Sequence, residues 1–564
     1  MYAGTQPQPL LEHRVIDVMH LVDVARLVVS RGWNRNVPDR SKMCPCRTMI
    51  SIDGSADGSP ANAPDQAPSG AQGTWEGERS VKLYEKLAAD IEALVQQGVL
   101  LPGERIPSVR QTSQHHRMSI TTVIRAYVLL ESRGIIESRP QSGYFVRARP
   151  GEPVVELRPS RPSAKPSAVD VSALVLSTLR SIRSDDAVPL GSPYPDPSLF
   201  PWQRINQYAN NIARRYAKWT MLDDLPPGSP ELIRQISRRY LENGYAIDPN
   251  EVIVTIGATE AINLCLQAVA RPGDTIAVES PTYYAMLHAI ERLGMRAIEV
   301  ATDPAEGIDI GALARLIDEK GVAACMVMPN FQNPLGFQMP DEKKRALVAM
   351  LTGKDIPVIE NDVYGELYYG EAHPSSLKAY DKAGIVLHCS SFSKTLTNAY
   401  RIGWALPGRY REAVERLKFL NTLTTPAIPQ LAIAEFLKND GYDFHLRRGR
   451  KAYAQQANIM AAAVRRFFPD GTTTSRPAGG YVLWVQLPEG IDAMEMYHAA
   501  LEHRITIAPG HMFAPGATYC HCIRLNYSGE WSPGIESAVQ TLGKIAQHLL
   551  ARSREPGEEE HARR

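Results

Sequence analysis

The run Ile385-Val386-Leu387-His388-Cys389-Ser390-Ser391-Phe392-Ser393-Lys394 joins an apolar, strand-like segment to a short polar turn that ends in a lysine. Ser391 lies three residues before Lys394, and Arg401 lies seven residues after it. A serine and an arginine at this spacing can face one phosphate group, to which the arginine can donate two hydrogen bonds. A lone lysine in such a turn is most often a surface residue, so its surroundings decide its interpretation.

Strand-like runs of this kind alternate with helical patterns from about residue 189 to residue 547. They occupy 252–256, 275–278, 323–328, 357–359 and 385–387. This alternation predicts an α/β domain with a mostly parallel sheet.

Polar residues after these runs match the requirements of a pyridoxal 5′-phosphate site, where an amine forms a Schiff base with the cofactor and an acid keeps the pyridine nitrogen protonated. Lys394 would supply the amine, and Asp362, just beyond the run 357–359, would pair with the nitrogen. Tyr364 and Asn333 can donate hydrogen bonds to the ring hydroxyl. The Asn-Pro pair at 333–334 is by itself only a turn signal.

Two further features would complete the cofactor site. Gly257, Ala258 and Thr259 lie where a strand gives way to a helix, and free backbone N–H groups at a helix start bind phosphate. Tyr283, in Ser280-Pro281-Thr282-Tyr283, can stack on the ring, although such a tyrosine is more often a packing residue. Each feature is weak alone, but together they favour a cofactor site.

These pieces stand in the order and spacing of the fold-type I aminotransferases, which residues 190–548 resemble. The matching motifs are Gly-Ala-Thr-Glu-Ala (257–261), Ser-Pro-Thr-Tyr (280–283), Asn-Pro-Leu-Gly (333–336), Asn-Asp-Val-Tyr (361–364) and Ser-Phe-Ser-Lys (391–394). The resemblance implies that Arg524 binds a substrate α-carboxylate and that the protein is a homodimer. The alternative for Arg524 is a strand arginine in a surface ion pair. Asp223 stands where that family often has a tyrosine that reaches the partner's phosphate, which leaves this contact between subunits open.

A smaller domain precedes this one. Tyr84–Gln97 has the apolar spacing of a helix, Ser108 is placed to cap a second helix to about His116, and Ser119 to cap a third over Ile120–Arg133. The segment 135–146 predicts a two-stranded wing. The third helix has one apolar face and an opposite face with short polar and basic residues, as a major-groove recognition helix requires.

The basic residues of this domain point to DNA. Between residues 79 and 149 there are 11 Lys and Arg against 6 Asp and Glu, a net charge of +5, whereas the whole chain is at +1. The candidate DNA-binding residues are Ser108, Arg110, Ser119, Thr121, Thr122, Arg125, Arg139 and Gly143. The alternative is a solvated three-helix domain that contacts other proteins.

The runs Leu-Pro-Gly-Glu-Arg-Ile-Pro-Ser-Val-Arg (101–110) and Arg-Pro-Gln-Ser-Gly-Tyr-Phe-Val (139–146) resemble the winged helix-turn-helix of GntR-type repressors. Fused to an aminotransferase-like domain, they resemble the MocR branch of that family. The resemblance implies a transcription factor with double-stranded operator DNA as partner, in which an amino compound forms an external aldimine with the cofactor and shifts the domains. The competing hypotheses are a working class I/II aminotransferase with an auxiliary DNA-binding domain, and a cofactor store.

The domain boundaries follow from composition. We expect a poorly ordered leader (1–78), a winged helix-turn-helix domain (79–149), a Pro-rich linker (150–188), the aminotransferase-like domain (189–548) and a charged tail (549–564). No run approaches the roughly 20 apolar residues of a membrane span, and no secretory signal is evident. The seven cysteines fit a reducing compartment, so the expectation is a cytoplasmic protein. Cys44-Pro45-Cys46 and Cys520-His521-Cys522 lack zinc spacing, so no metal site is expected.

Overall fold

The computed structural model describes residues 82–96, 100, 105–139, 143–146, 157–182, 187–215 and 225–554. The expected leader, Cys44, Cys46 and Asp223 lie outside these ranges, as does the side chain of Arg139. No helix in the described ranges is long and apolar enough to cross a membrane.

The helices and strands of the described residues fall into a small N-terminal domain and a large α/β domain. The helices are α1 (Leu83–Gln96), α2 (Val109–His116), α3 (Ile120–Ser132), α4 (Ser172–Ser181), α5 (Trp202–Arg215), α6 (Pro230–Glu242), α7 (Gly257–Val269), α8 (Tyr284–Arg292), α9 (Ile310–Lys320), α10 (Asp341–Gly353), α11 (Arg411–Thr422), α12 (Ala427–Asn439), α13 (Tyr442–Phe467), α14 (Ala493–Glu502) and α15 (Pro533–Arg554). The strands are β1 (Ile136–Arg139), β2 (Gly143–Val146), β3 (Ile253–Thr255), β4 (Thr275–Glu279), β5 (Arg296–Val300), β6 (Thr302–Asp303), β7 (Gly307–Ile308), β8 (Val322–Val327), β9 (Val358–Asn361), β10 (Val386–Ser391), β11 (Gly403–Leu406), β12 (Thr473–Thr474), β13 (Val482–Gln486), β14 (Ala508–Pro509) and β15 (Cys522–Asn526).

The small domain is three helices and an antiparallel hairpin, as the sequence predicts. The side chain of Ser108 accepts a hydrogen bond from the N–H of Gln111 in a capping box, and Ser119 caps α3 by accepting from the N–H of Thr122. Each cap pairs a backbone donor that the first helical turn leaves free. The side chains of Tyr127 and its neighbours on the inner face of α3 are buried against α1 and the wing. The buried apolar residues of this core are Leu87, Ala88, Ile91, Ile106, Val123, Ala126, Tyr127, Leu130, Ile135, Ile136 and Val146.

The large domain is built on a seven-stranded sheet in the order β3-β11-β10-β9-β8-β4-β5. The pairs among β10, β9, β8, β4 and β5 are parallel, and β11 is antiparallel to both β10 and β3. The five predicted strand runs correspond to β3, β4, β8, β9 and β10, so these predictions are confirmed. Nearly every residue of these strands is buried, because helices cover both faces of a parallel sheet.

A second sheet, in the order β12-β13-β15-β14, is antiparallel. The inner strand β15 carries Arg524, which pairs in register with Trp484 on one side and Ala508 on the other.

Two predicted boundaries are wrong. The second half of the expected linker belongs to the large domain, since Ser167 pairs with Ala297 and the side chains of Val169, Val171 and Val175 are buried in its core. The expected tail begins too early, because α15 continues to Arg554 and buries Leu549 and Leu550. Proline content and charge misled both predictions, since a few buried aliphatic residues suffice to fix such a segment on a core.

Candidate functional site

The predicted cofactor residues lie at one edge of the large sheet. Gly257, Tyr283, Asn333, Asp362 and Lys394 follow the carboxyl ends of β3, β4, β8, β9 and β10, respectively. Because β11 is antiparallel, its amino end, which Arg401 precedes, lies at the same edge. In α/β sheets this edge is where ligands bind.

Lys394 is buried, and its Nζ donates a hydrogen bond to the backbone oxygen of Pro193 at 2.8 Å. The same atom lies 4.3 Å from the ring centre of Tyr194. Burial, followed by the positive charges of Arg524 and Arg401, lowers the pKa of Lys394 to about 7. A substantial share of this amine is therefore neutral and nucleophilic at neutral pH.

Asp362 is a buried carboxylate held by a buried amide. Its Oδ1 accepts a hydrogen bond from Nδ2 of Asn330 at 3.1 Å, and Oδ1 of Asn330 accepts one from Nζ of Lys344 at 2.8 Å. Lys344 is fully buried, and its donation fixes the Asn330 amide with its NH₂ group toward Asp362. Burial raises the pKa of Asp362, which a nearby cation would counteract.

A second buried network lies close to Asp362. His388 contacts Glu360 through Nδ1 at 2.8 Å and the hydroxyl of Tyr240 through Nε2 at 2.7 Å. Nε1 of Trp404 donates to the same hydroxyl at 2.9 Å. Burial lowers the pKa of His388 and the Glu360 carboxylate raises it, with a net rise. These buried polar groups satisfy one another, as a buried network must.

Tyr364 and Asn333 are brought together as the sequence predicts. Nδ2 of Asn333 donates to the Tyr364 hydroxyl at 3.3 Å, while its Oδ1 is buried with no protein partner among the described residues. The ring of Tyr364 packs edge-on against Tyr481 at 5.4 Å. Tyr283 is half-buried, and burial and then the hydroxyls of Tyr284 and Tyr364 raise its pKa.

The start of α7 lies beside the guanidinium of Arg401. The residue before it, Ile256, provides no side-chain cap, so backbone N–H groups at this helix start are free of such a partner. Gly257 has φ +73°, and a Cβ there would stand 2.7 Å from Nη2 of Arg401, so only glycine lets the guanidinium lie this close. Nη1 of Arg401 donates to Oγ of Ser393 at 3.2 Å, whereas the predicted Ser391 accepts from the N–H of Ser393 at 3.4 Å.

Arg524 is fully buried, which excludes the surface ion pair considered as its alternative. Its Nη2 donates to the backbone oxygen of Gly191 at 2.6 Å, while Nε and Nη1 have no hydrogen-bond partner among the described residues. A buried guanidinium with two free donors is costly unless an anion completes it. The arrangement therefore fits a carboxylate, which accepts two parallel hydrogen bonds from arginine.

The segment 191–194 links these groups, and sequence reasoning missed it. Besides the hydrogen bonds from Arg524 and Lys394, this segment accepts hydrogen bonds from two other side chains. Nδ2 of Asn526 donates to the backbone oxygens of Ser192 and Tyr194, and the Tyr481 hydroxyl donates to that of Pro193. A Cβ on Gly191 would stand 2.7 Å from the carbonyl carbon of Ile507, so this segment needs a glycine for close approach. The run Gly191-Ser192-Pro193-Tyr194-Pro195 was a usable signal, as a loop with glycine and proline beside the expected domain start.

In the small domain, the predicted DNA-binding residues lie at the start of α2, along α3 and on the wing. Arg110, Ser119, Thr121 and Arg125 are exposed, while Ser108 and Thr122 are half-buried. Gly143, in β2, has φ +100°, and a Cβ there would meet the guanidinium of Arg105 at 3.3 Å. The positively charged side chain of Arg105 therefore lies beside the wing, although Arg105 was not among the predicted residues. Nothing is described of the Arg139 side chain.

No group of histidine, cysteine and acidic side chains within the described residues could hold a metal ion. Cys520 and Cys522 are free thiols, and Nδ1 of His521 contacts the backbone oxygen of Ile491 at 2.8 Å.

The two parts of the chain match two protein families. Residues 223–542 match the aminotransferase class I and II family, and residues 83–146 match the gntR family of bacterial regulatory proteins. A relative from Escherichia coli (strain K12), described as an uncharacterized HTH-type transcriptional regulator, YdcR, is 42% identical over 474 residues, which are 83% of this chain and 100% of that protein.

The large domain also resembles characterised aminotransferases. The 2-aminoadipate transaminase of Thermus thermophilus is 30% identical over 363 residues, which are 63% of this chain and 89% of that protein. The crystal structure of an α-aminoadipate aminotransferase, also from Thermus thermophilus and complexed with N-(5′-phosphopyridoxyl)-L-leucine, aligns with a TM-score of 0.62 at 28% identity. That alignment covers 66% of this chain and 95% of the other.

Proposed function

Because the chain belongs to the MocR-type GntR regulators, which join a GntR helix-turn-helix domain to an aminotransferase class I/II domain, we propose that it is a transcriptional regulator whose DNA binding responds to an amino compound bound with pyridoxal 5′-phosphate. The observation that carries the proposal is the pairing of buried Arg524 with buried Lys394. Arg524 lacks partners for two nitrogens, and its charge helps to lower the pKa of Lys394. Arg524 suits a ligand carboxylate, and Lys394 suits a carbon that reacts with amines.

The remaining residues fit the cofactor. Gly257–Thr259 and Arg401 would hold its phosphate, Asp362 would pair with the pyridine nitrogen, and Tyr364 with Asn333 would hydrogen-bond its ring hydroxyl. The close contact of Arg401 with Gly257 supports the phosphate site. The unpaired Oδ1 of Asn333 can accept a hydrogen bond from a protonated ring hydroxyl. When bound, pyridoxal 5′-phosphate supplies an aldehyde carbon that takes up primary amines and a protonated ring that withdraws electrons.

The segment 191–194 offers a physical route from ligand to regulation. Lys394 and Arg524 both donate to its carbonyls, and the cofactor and a ligand carboxylate would compete for those same donors. This segment follows residues 167–182, the N-terminal part of the large domain, in sequence. Occupation of the site would therefore change how firmly this part of the chain is held. A ligand shifts such an equilibrium only if it binds the two conformations unequally.

A working aminotransferase is the second candidate. The likeness to a 2-aminoadipate transaminase and the pKa of about 7 at Lys394 favour it, because the groups that bind an amino acid are also those that would catalyse. Steady turnover of an amino donor and a keto acid, at a rate typical of metabolic enzymes, would decide for this function.

We expect a homodimer, as the resemblance to the aminotransferases implies, and the large domain has large apolar side chains that the single chain leaves exposed. These include Leu241, Phe419, Leu420 and Phe444. Light scattering on the purified protein would measure the mass. The bacterial cytoplasm, where operator DNA lies, is the expected compartment.

The central experiment records cofactor absorbance and DNA affinity together. The cofactor-loaded protein is titrated with a panel of amino acids and amines, using DNA from its own upstream region. Compounds that change the spectrum should also change the affinity for DNA. Lys394→Ala should lose the coloured covalent cofactor while binding DNA within about twofold of wild type, and Lys451→Ala, an exposed lysine on α13, should behave as wild type.

Two results would overturn the proposal. A full response in Lys394→Ala would show that the covalent bond at this lysine is not the switch. Failure of the protein to shift any upstream DNA would contradict its proposed function as a regulator.

A further inference from the structure

The outward face of α3 carries a row of aliphatic side chains. Ile120 is 51% exposed, Ile124 41% and Val128 53%, and their spacing of four residues aligns them along one side of the helix. Other side chains of α3, namely Val123, Ala126, Tyr127 and Leu130, supply the buried core of the domain. The row therefore plays no part in packing the domain.

Polar and basic groups share this face. Thr121 and Arg125 are exposed beside the row, and Arg125 forms no ion pair with a described residue. The domain that presents the row carries a net charge of +5. This charge would oppose a second copy of the same face and favours a polyanion instead.

The dimensions fit the major groove of DNA. An α-helix with its side chains is about 10–12 Å across, and the major groove is about 12 Å wide, so it admits α3. Along the helix, Ile120 and Ile124 lie about 6 Å apart, at 1.5 Å rise per residue. Ser119 fixes the start of the helix through its cap, so the first two turns are held in place. In the major groove the apolar group that identifies a base pair is the C5 methyl of thymine.

We propose that Ile120 and Ile124 read thymine methyl groups, so that each operator half-site contains thymines at two positions that these residues specify. The inference rests on the proposed DNA-binding function and adds base specificity to it. Arg125 and Thr121 then contact polar base edges or phosphates on either side. Val128, one turn further from the helix start, lies nearer the groove wall and contributes less.

The test begins with selection of DNA from a random-core double-stranded library by the full-length protein. Each thymine of the selected site is then replaced by deoxyuridine, which removes only the methyl group. Two positions per half-site should lose about fourfold in affinity each, equivalent to about 0.8 kcal/mol for one buried methyl. In Ile124→Ala the loss at one of these positions should disappear, while the loss at the other remains.

A control variant and a measurement of thermal unfolding accompany the test. Leu94→Ala changes an exposed aliphatic residue of α1 and should leave both the selected sequence and the deoxyuridine effects unchanged. Thermal unfolding of Ile120→Ala and Ile124→Ala should match wild type, since neither residue is in the core. Deoxyuridine effects that persist equally in both variants, or that are absent at every position, would overturn the inference while leaving DNA binding intact.

Two other outcomes are distinguishable. If no sequence is enriched at all, the proposed function fails and the inference with it. If Ile120→Ala and Ile124→Ala change the oligomeric mass but not the selected sequence, the row is a contact between proteins and the inference is wrong.

Discussion

Arg524 in the large domain and Arg125 in the small domain both lack an ion pair with any described residue, but their surroundings are opposite. Arg524 is buried, with two nitrogens that find no partner among the described residues. Arg125 is exposed on α3, where water surrounds it. A buried, prepositioned cation binds one small anion strongly, because water and salt do not screen it. An exposed cation contributes modestly and in a salt-dependent manner, which suits one contact among many along a polyanion.

Replacement of Arg524 should give the largest effect. In Arg524→Met, affinity for amino acids that act as ligands should fall by about 30-fold or more, because loss of a buried charge partner costs about 2–5 kcal/mol. Amines without a carboxylate should bind as before, since they do not use the guanidinium. Titration monitored by cofactor absorbance measures both.

Arg125→Met is the matched control, and it should leave ligand affinity unchanged. Equal losses for amino acids and for amines in Arg524→Met would show that the substitution disturbs the whole site, and the assignment of a carboxylate clamp would then be wrong.

Features that local sequence patterns predict differ from those that only the family resemblance indicated. The strands and the caps at Ser108 and Ser119 follow from patterns local in the chain, and the structure confirms these elements. Arg524 came only from the family resemblance, because an isolated arginine in a strand carries no local signal.

Contacts between distant segments could not be predicted. Lys394 meets Pro193 across 201 residues, and Lys344 orients Asn330, which holds Asp362. Such contacts depend on the packing of the sheet edge, which composition and periodicity do not specify. The expected linker failed for a similar reason, since the burial of Val169 and Val175 is decided by the surface on which they pack.

The rate at which Lys394 takes up the cofactor should depend on pH, and the charge of Arg524 should shift that dependence. With a pKa of about 7, the neutral amine becomes the main form as pH rises through 7, so the rate of covalent cofactor loading onto cofactor-free protein should rise there rather than near the ordinary pKa of 10.5. Arg524→Met removes a nearby positive charge and should move this midpoint to higher pH. Stopped-flow absorbance over a pH series gives the profile.

Linkage provides a second readout. The pKa of Lys394 is lower in the folded protein than in the unfolded chain, so between about pH 7 and 10.5 the unfolded chain binds more protons. Stability of the cofactor-free protein should therefore rise with pH across this window, and Lys394→Met should flatten that rise.

For the loading experiment, a midpoint pH that stays fixed in Arg524→Met would contradict the electrostatic coupling of the two residues.

Substitution of Arg125 should produce a smaller, salt-dependent loss. Arg125→Ala is expected to weaken DNA binding by about tenfold at moderate salt, with no change in cofactor absorbance. If the contact is to a phosphate, the slope of log affinity against log salt should fall by about one. If it is to a base, the slope should hold and one position of the selected site should lose its preference. A change in both DNA affinity and absorbance would contradict the division of labour between the domains.

Ser119 should give the smallest effect, and it separates folding from recognition at the DNA-facing end of α3. Its Oγ accepts from the N–H of Thr122 at 3.1 Å, so Ser119→Ala should cost about 1 kcal/mol of small-domain stability. Ser119→Asp keeps a good cap and suits the positive end of the helix dipole, so stability should be retained. Its carboxylate, however, would face the DNA phosphates, and binding should fall by about tenfold. Thermal unfolding and DNA titration of both variants test this, and normal DNA binding by the stable Ser119→Asp protein would mean that the start of α3 does not face the DNA.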